Sequence, residues 1–209
     1  MPITLLTKRE RDFLRKLSTP QKIQDFLDSI PFNHEEHGQT VMSPRTVLQT
    51  KRAHCIEGAL LAGVALWLQG RPPLIISLKV KHSDYDHIIT IFGDNFYYGA
   101  ISKTNHNVLR YRDPIYKSIR ELVMSYFHEY FLTVNGEKTL LGYTKPINIK
   151  KFGSRWITSE ENLWDIAEKI YDTPTLSIVP EKNKKILRKA TPSERASASI
   201  PEWKKSSLS

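Results

Sequence analysis

Cys55 is the only cysteine of the 209-residue chain, and it stands where polar Gln49-Thr50-Lys51-Arg52 gives way to a long run of small and apolar residues. That junction reads as a helix N-terminus. Unpaired backbone N–H groups and the positive end of the helix dipole meet there, and both favour thiolate over thiol. No charge interrupts Gly58 to Leu68, so the helix is expected to be central and buried. A thiolate nucleophile needs a base, and His87 opens the β-branched stretch Ile88-Ile89-Thr90-Ile91-Phe92, which predicts a strand. The plainer account of Cys55 is a buried small hydrophobe, the common fate of a free cysteine. A metal site built from His54, Cys55, Glu57, His82 and His87 lacks any C-x-x-C or H-E-x-x-H spacing, so neither metal nor cofactor is expected. His54 reads as a structural or surface residue and Glu57 as a favourable charge in the first helical turn.

The elements that would hold this pair follow from caps, breakers and periodicity. Thr7 with Glu10 forms a capping box for a helix running to about Leu17, and Thr19-Pro20 opens a second with Ile23, Phe26, Leu27 and Ile30 on one face. Phe32 to Met42, bearing His34 and His37, reads as an exposed loop, and Ser43-Pro44 starts a third short helix. After the cysteine helix, Gln69-Gly70-Arg71-Pro72-Pro73 is a stop. Leu74 to Val80, His87 to Phe92 and Phe96 to Ile101 read as three strands, the last two joined by Gly93-Asp94-Asn95 and therefore antiparallel. Asp113-Pro114 predicts a long helix with Ile115, Ile119, Leu122, Val123, Tyr126, Phe127, Tyr130 and Phe131 at helical spacing. Asn135-Gly136 is a hairpin signal, and Thr158-Ser159-Glu160-Glu161 predicts a capped helix carrying Leu163 to Ile170. A helix on an antiparallel sheet is an α+β arrangement.

The order of a cysteine at a helix start, a histidine at a strand start and a polar residue on the next strand resembles the transglutaminase-like branch of the papain-like cysteine protease superfamily. Cys55-Ile56-Glu57-Gly58-Ala59 carries the first part of that resemblance and His87 to Phe92 the second. The third departs: where the family has an Asp, four residues after Tyr98, this chain has Ser102. The flanks, around Ser43-Pro44-Arg45 and Glu121 to Phe127, also resemble a group of bacterial proteins. The resemblance implies a papain-like core with additional flanking helices and a Cys55, His87, Ser102 set. Ser102 orients an imidazole without adding charge, so Asp84, Asp86 and Asn105 are further candidates to orient His87. Gln49, six residues before Cys55, is at the separation of the papain-like oxyanion glutamine.

Composition sets the remaining bounds. The net charge is +9. Residues 181–209 carry eight Lys/Arg against three Asp/Glu, so +5 of the excess lies there. That stretch is poor in apolar residues and predicts a flexible basic tail behind a single domain spanning residues 1–180. Nucleic-acid binding rests on the tail alone and is the weaker expectation. No apolar run is long enough to span a bilayer and no signal-like stretch follows Met1, so a cytoplasmic protein is expected. The functional expectation is a cysteine-dependent acyl-transfer enzyme acting on a peptide or amide, with hydrolysis favoured over transamidation because nothing identifies an amine acceptor. The alternative is an inactive transglutaminase-like module that binds a protein partner.

Overall fold

The computed structural model describes residues 4–93 and 96–204. Three short helices come first, α1 (Lys8–Lys16), α2 (Pro20–Ser29) and α3 (Pro44–Thr50). The hydroxyls of Thr7, Thr19 and Ser43 accept the N–H groups of Glu10, Lys22 and Thr46 and so start each one. These caps satisfy donors that the helix itself leaves unpaired. Helix α4 (Cys55–Leu68) follows, with every residue from Ile56 to Leu66 buried. From Gly58 to Leu68 it carries no charge and has no polar face to present, so it lies between the other helices and the sheet.

The strands are β1 (Leu74–Val80), β2 (His87–Gly93), β3 (Tyr98–Ile101), β4 (Arg112–Tyr116), β5 (Leu140–Thr144), β6 (Ile147–Asn148) and β7 (Thr175–Ser177). Every neighbouring pair is antiparallel, in the order β4-β3-β2-β1-β5-β7, with β6 also on β1. The connection at Asp94 and Asn95 lies outside the described residues. Period-two alternation divides the apolar side chains between two layers. Ile75, Ile88 and Ile101 join the core of α1 to α4, whereas Ile76, Leu78, Ile89, Ile91 and Ala100 pack with Leu122, Val123, Tyr126 and Tyr130 on the other face. The Thr90 hydroxyl donates to the Ala59 carbonyl at 2.7 Å and ties β2 to α4. The molecule is therefore a mixed α+β fold with an antiparallel sheet. Among the described residues no helix is long and apolar enough to cross a membrane.

Four expectations are corrected. The long helix from Asp113 is instead strand β4 followed by α5 (Ile119–Met124), capped by Ser118. Pro114 sits on the edge strand of the sheet, where a missing N–H is tolerated. The helix expected after Thr158 begins later, as α6 (Trp164–Tyr171), without a side-chain cap. The stretch before it is tied elsewhere: Ser43 Oγ donates to the Ser159 carbonyl at 2.7 Å, and Asn162 Oδ1 accepts the Val41 N–H at 2.8 Å. Asn135-Gly136 does make a turn, with Gly136 at φ 75°, but its arms meet only at the bridge between Phe131 and Lys138. Finally, residues 181–204 do not trail free of a domain ending at 180. Helix α7 (Pro192–Ala198) is anchored by Arg195, which donates to the Thr133 and Val134 carbonyls at 2.6 Å each. Ala190 and Ala198 are buried.

Candidate active site

Cys55 is the first residue of α4. The first bond of that helix runs from Gly58 N–H to the His54 carbonyl at 2.9 Å, so the N–H groups of Cys55 and Ile56 precede the intrahelical ladder. Lys51, left-handed at φ 54°, ends α3. Ala53 then pairs with the Phe32 strand segment, its N–H donating to Pro31 at 3.2 Å. Those two features fix where His54 and Cys55 emerge. His87 is placed by β2, opposite Leu78 of β1, and Ser102 follows directly on β3.

His87 Nε2 lies 2.8 Å from Ser102 Oγ, and Ser102 Oγ donates to the Leu109 carbonyl at 2.6 Å. A hydroxyl has one proton, and a carbonyl takes it only by accepting, so Ser102 must accept from Nε2–H of His87. That bond fixes the tautomer and leaves Nδ1 for the sulfur. Ser102 is itself held by Gln24 of α2, whose amide accepts the Ser102 N–H at 2.9 Å and donates to its carbonyl at 2.8 Å. His87 and Ser102 are almost fully buried, and Cys55 is partly exposed.

The site opens into a cavity of about 560 Å³ whose wall includes Cys55, His87, His54, Tyr130, Trp164 and Tyr171. Burial would push the Cys55 thiol up, but hydrogen bonds with His54 and His87, together with their charges, bring it down to about 5. The adjoining network is buried too. Glu57, fully excluded from solvent, accepts from Thr40 Oγ1 at 2.7 Å, Asn33 Nδ2 at 3.1 Å, Met42 N–H at 3.0 Å and His54 N–H at 2.9 Å. Burial acts against its charge, yet the His54 ring and these donors hold its carboxyl below the usual range. Lys103, next to Ser102, is buried with Nζ donating to the Leu27 and Ile30 carbonyls at 2.7 and 2.6 Å. Its ammonium is pushed down to about 8 by burial.

The other sequence candidates lie apart from this trio. Asp86 is bound to Lys79 Nζ at 2.5 Å and to the Val80 N–H at 3.1 Å. Asp84 accepts the Thr139 hydroxyl at 2.6 Å. Both carboxylates line the cavity, but these bonds are to β1 and to the approach to β5 rather than to His87. Asn105 holds the C-terminal segment, donating to the Trp203 carbonyl at 3.0 Å and accepting its N–H at 2.8 Å. Gln49 is exposed near the end of α3 and is not part of the cavity wall. Among the described residues no three His, Cys, Asp or Glu side chains converge for a metal ion.

Sequence reasoning missed Gln24, the burial of Lys103, and His54 with Glu57 as parts of one network. The spacing of His54 and Glu57, N-cap and third helical residue, was the available signal. Gln24 carried none beyond standing beside the apolar stripe of α2. In comparisons with known proteins, no family model and no curated protein matches the chain.

Proposed function

We propose that the protein is a cysteine-dependent acyl-transfer enzyme that hydrolyses an amide or peptide bond, with Cys55 as nucleophile and His87 as acid and base. The observation that carries this reading is the directed chain from the Leu109 carbonyl through Ser102 and His87 to a partly exposed thiol at a helix N-terminus. Buried structural cysteines need no such arrangement. The resemblance to the transglutaminase-like branch of papain-like enzymes supports the same assignment, as does the order of helix and antiparallel strands.

In this mechanism the Cys55 thiolate attacks the carbonyl carbon and the C=O pair moves onto oxygen. The backbone N–H of Cys55, ahead of the helical ladder, is available as a donor for that oxyanion. Collapse of the intermediate breaks the C–N bond as His87 Nδ1–H gives its proton to the departing amine. A thioester on Cys55 remains. Water then attacks it, His87 Nδ1 takes the water proton, and the carboxylic product leaves with the thiolate restored. Ser102 keeps the imidazole in the required orientation throughout but supplies no negative charge, unlike an Asp. A free catalytic thiol suits a reducing compartment such as the cytoplasm.

Intact-protein mass spectrometry with an activated acyl ester tests the reading. The wild type is expected to gain one acyl mass at Cys55 and then lose it to water, whereas His87→Ala acylates at least tenfold more slowly and Cys55→Ser not at all. A wild type that never acylates, although iodoacetamide reaches Cys55, would favour a binding module on the same scaffold.

A further inference from the structure

His54 has no task in the mechanism above, yet its ring is held beside the sulfur by three acceptors. Its Nε2 lies 2.9 Å from the Thr40 carbonyl, 3.4 Å from Glu57 Oε1 and 3.6 Å from Glu35 Oε1. All three are acceptors, so Nε2 carries a proton. His54 precedes Cys55 in the chain and shares the cavity wall with it, and with Nε2 occupied the nitrogen left for sulfur is Nδ1. A thiolate at Nδ1 is a fourth acceptor and needs a second ring proton. Glu57 makes that charge state consistent: a carboxylate without solvent is tolerated when cationic and N–H partners surround it. A lone Glu57 charge two residues from Cys55 would instead oppose the thiolate.

We propose that His54 is a second positioning residue of the site, an imidazolium clamped by Glu57 and the Thr40 carbonyl that holds the Cys55 sulfur as thiolate alongside His87. This rests on reading Cys55 as the nucleophile. His54 keeps both protons through the cycle, so the proton given to the leaving amine and recovered from water is carried by His87 alone. The groups that face this cluster are Glu57 on α4, Glu35 on the loop before α3, His87 on β2, and Tyr130 and Tyr171, which act on the sulfur through space. Burial would push the His54 ring down, and its bonds to Cys55 and Glu57 raise it to about 11 instead.

Two measurements test this. Iodoacetamide rates against pH on wild type, His54→Gln and His87→Ala read the thiolate directly; glutamine keeps a donor of similar reach without the charge. His54→Gln is expected to move the midpoint up by about one unit, which lowers the rate about tenfold below pH 5 and about twofold near pH 6. Far-UV circular dichroism verifies that this variant is folded. An unchanged midpoint in His54→Gln beside a raised one in His87→Ala would overturn the role of His54 and leave the enzyme reading standing. An ordinary thiol in the wild type would remove that reading itself, and with it the role proposed for His54. Ring 15N NMR of the wild type needs no variant. One imidazolium persisting near pH 8 at His54 supports the proposal, and a neutral His54 ring at that pH contradicts it.

Discussion

Ser102 has a single hydroxyl proton, and the Leu109 carbonyl takes it at 2.6 Å. What Ser102 offers His87 is therefore a lone pair, enough to orient a ring but not to stabilise an imidazolium by charge. A neutral hydrogen bond of that kind contributes about 0.5–1.5 kcal/mol, so Ser102→Ala should lower kcat/KM by about two- to tenfold rather than abolish turnover. Steady-state kinetics on a cleaved ester would show it, and a rate equal to wild type would remove Ser102 from the site. A helix start and a strand start are local signals, so the sequence predicted that Cys55 opens α4 and His87 opens β2, whereas Ser102, expected on the third strand, lies one residue past β3. The sequence did not reveal that Glu57 is buried with four donors, because those donors come from residues 33, 40, 42 and 54, which only the fold brings together.

Helix α4 approaches α2 and the end of β3 through Gly58. A Cβ built there would lie 2.5 Å from Lys103 Cβ. That neighbour is an atom next to the backbone, so it yields only if the chain moves. Gly→Ala in a helix gains about 0.5–1 kcal/mol of propensity, while overpacking costs about 1–3 kcal/mol. The clash should win. Gly58→Ala is expected to unfold at lower urea concentration than wild type and, because Lys103 adjoins Ser102, to react more slowly at Cys55. A variant as stable as wild type would mean that α4 shifts freely against β3. Caps predicted α1, α2 and α3 well for the same local reason. The stretch from Asp113 to Phe131 misled because Leu122, Val123, Tyr126 and Tyr130 are indeed core residues, but a proline-bearing edge strand and a six-residue helix share one apparent periodicity.

Across the described molecule, residues 181–204 close back over the preceding chain. Asn105 pairs with Trp203, Arg110 with Glu202 at 3.1 Å, and His106 with Pro201, so the C-terminal segment lies along the residues that follow Ser102. Its low apolar content predicted a solvated tail; what holds it is a set of backbone and charge contacts that composition does not record. The site likewise exists only in the assembled molecule, since His54, His87 and Ser102 come from three separate parts of the chain. The thiol should therefore be acidic in the folded protein and ordinary in the unfolded one. A thiol lowered by folding is thiolate on the alkaline side of its folded midpoint and is protonated as pH falls through it, so alkylation should rise through about 5 and then level. The most direct test of the Cys55–His87 pairing is the pH dependence of Cys55 alkylation in native wild type, in the urea-unfolded chain and in His87→Ala. The account predicts a native plateau from about pH 6, a midpoint near 8.5 once unfolded, and a raised midpoint in the folded variant. Coincident native and unfolded profiles, unmoved by His87→Ala, would contradict it.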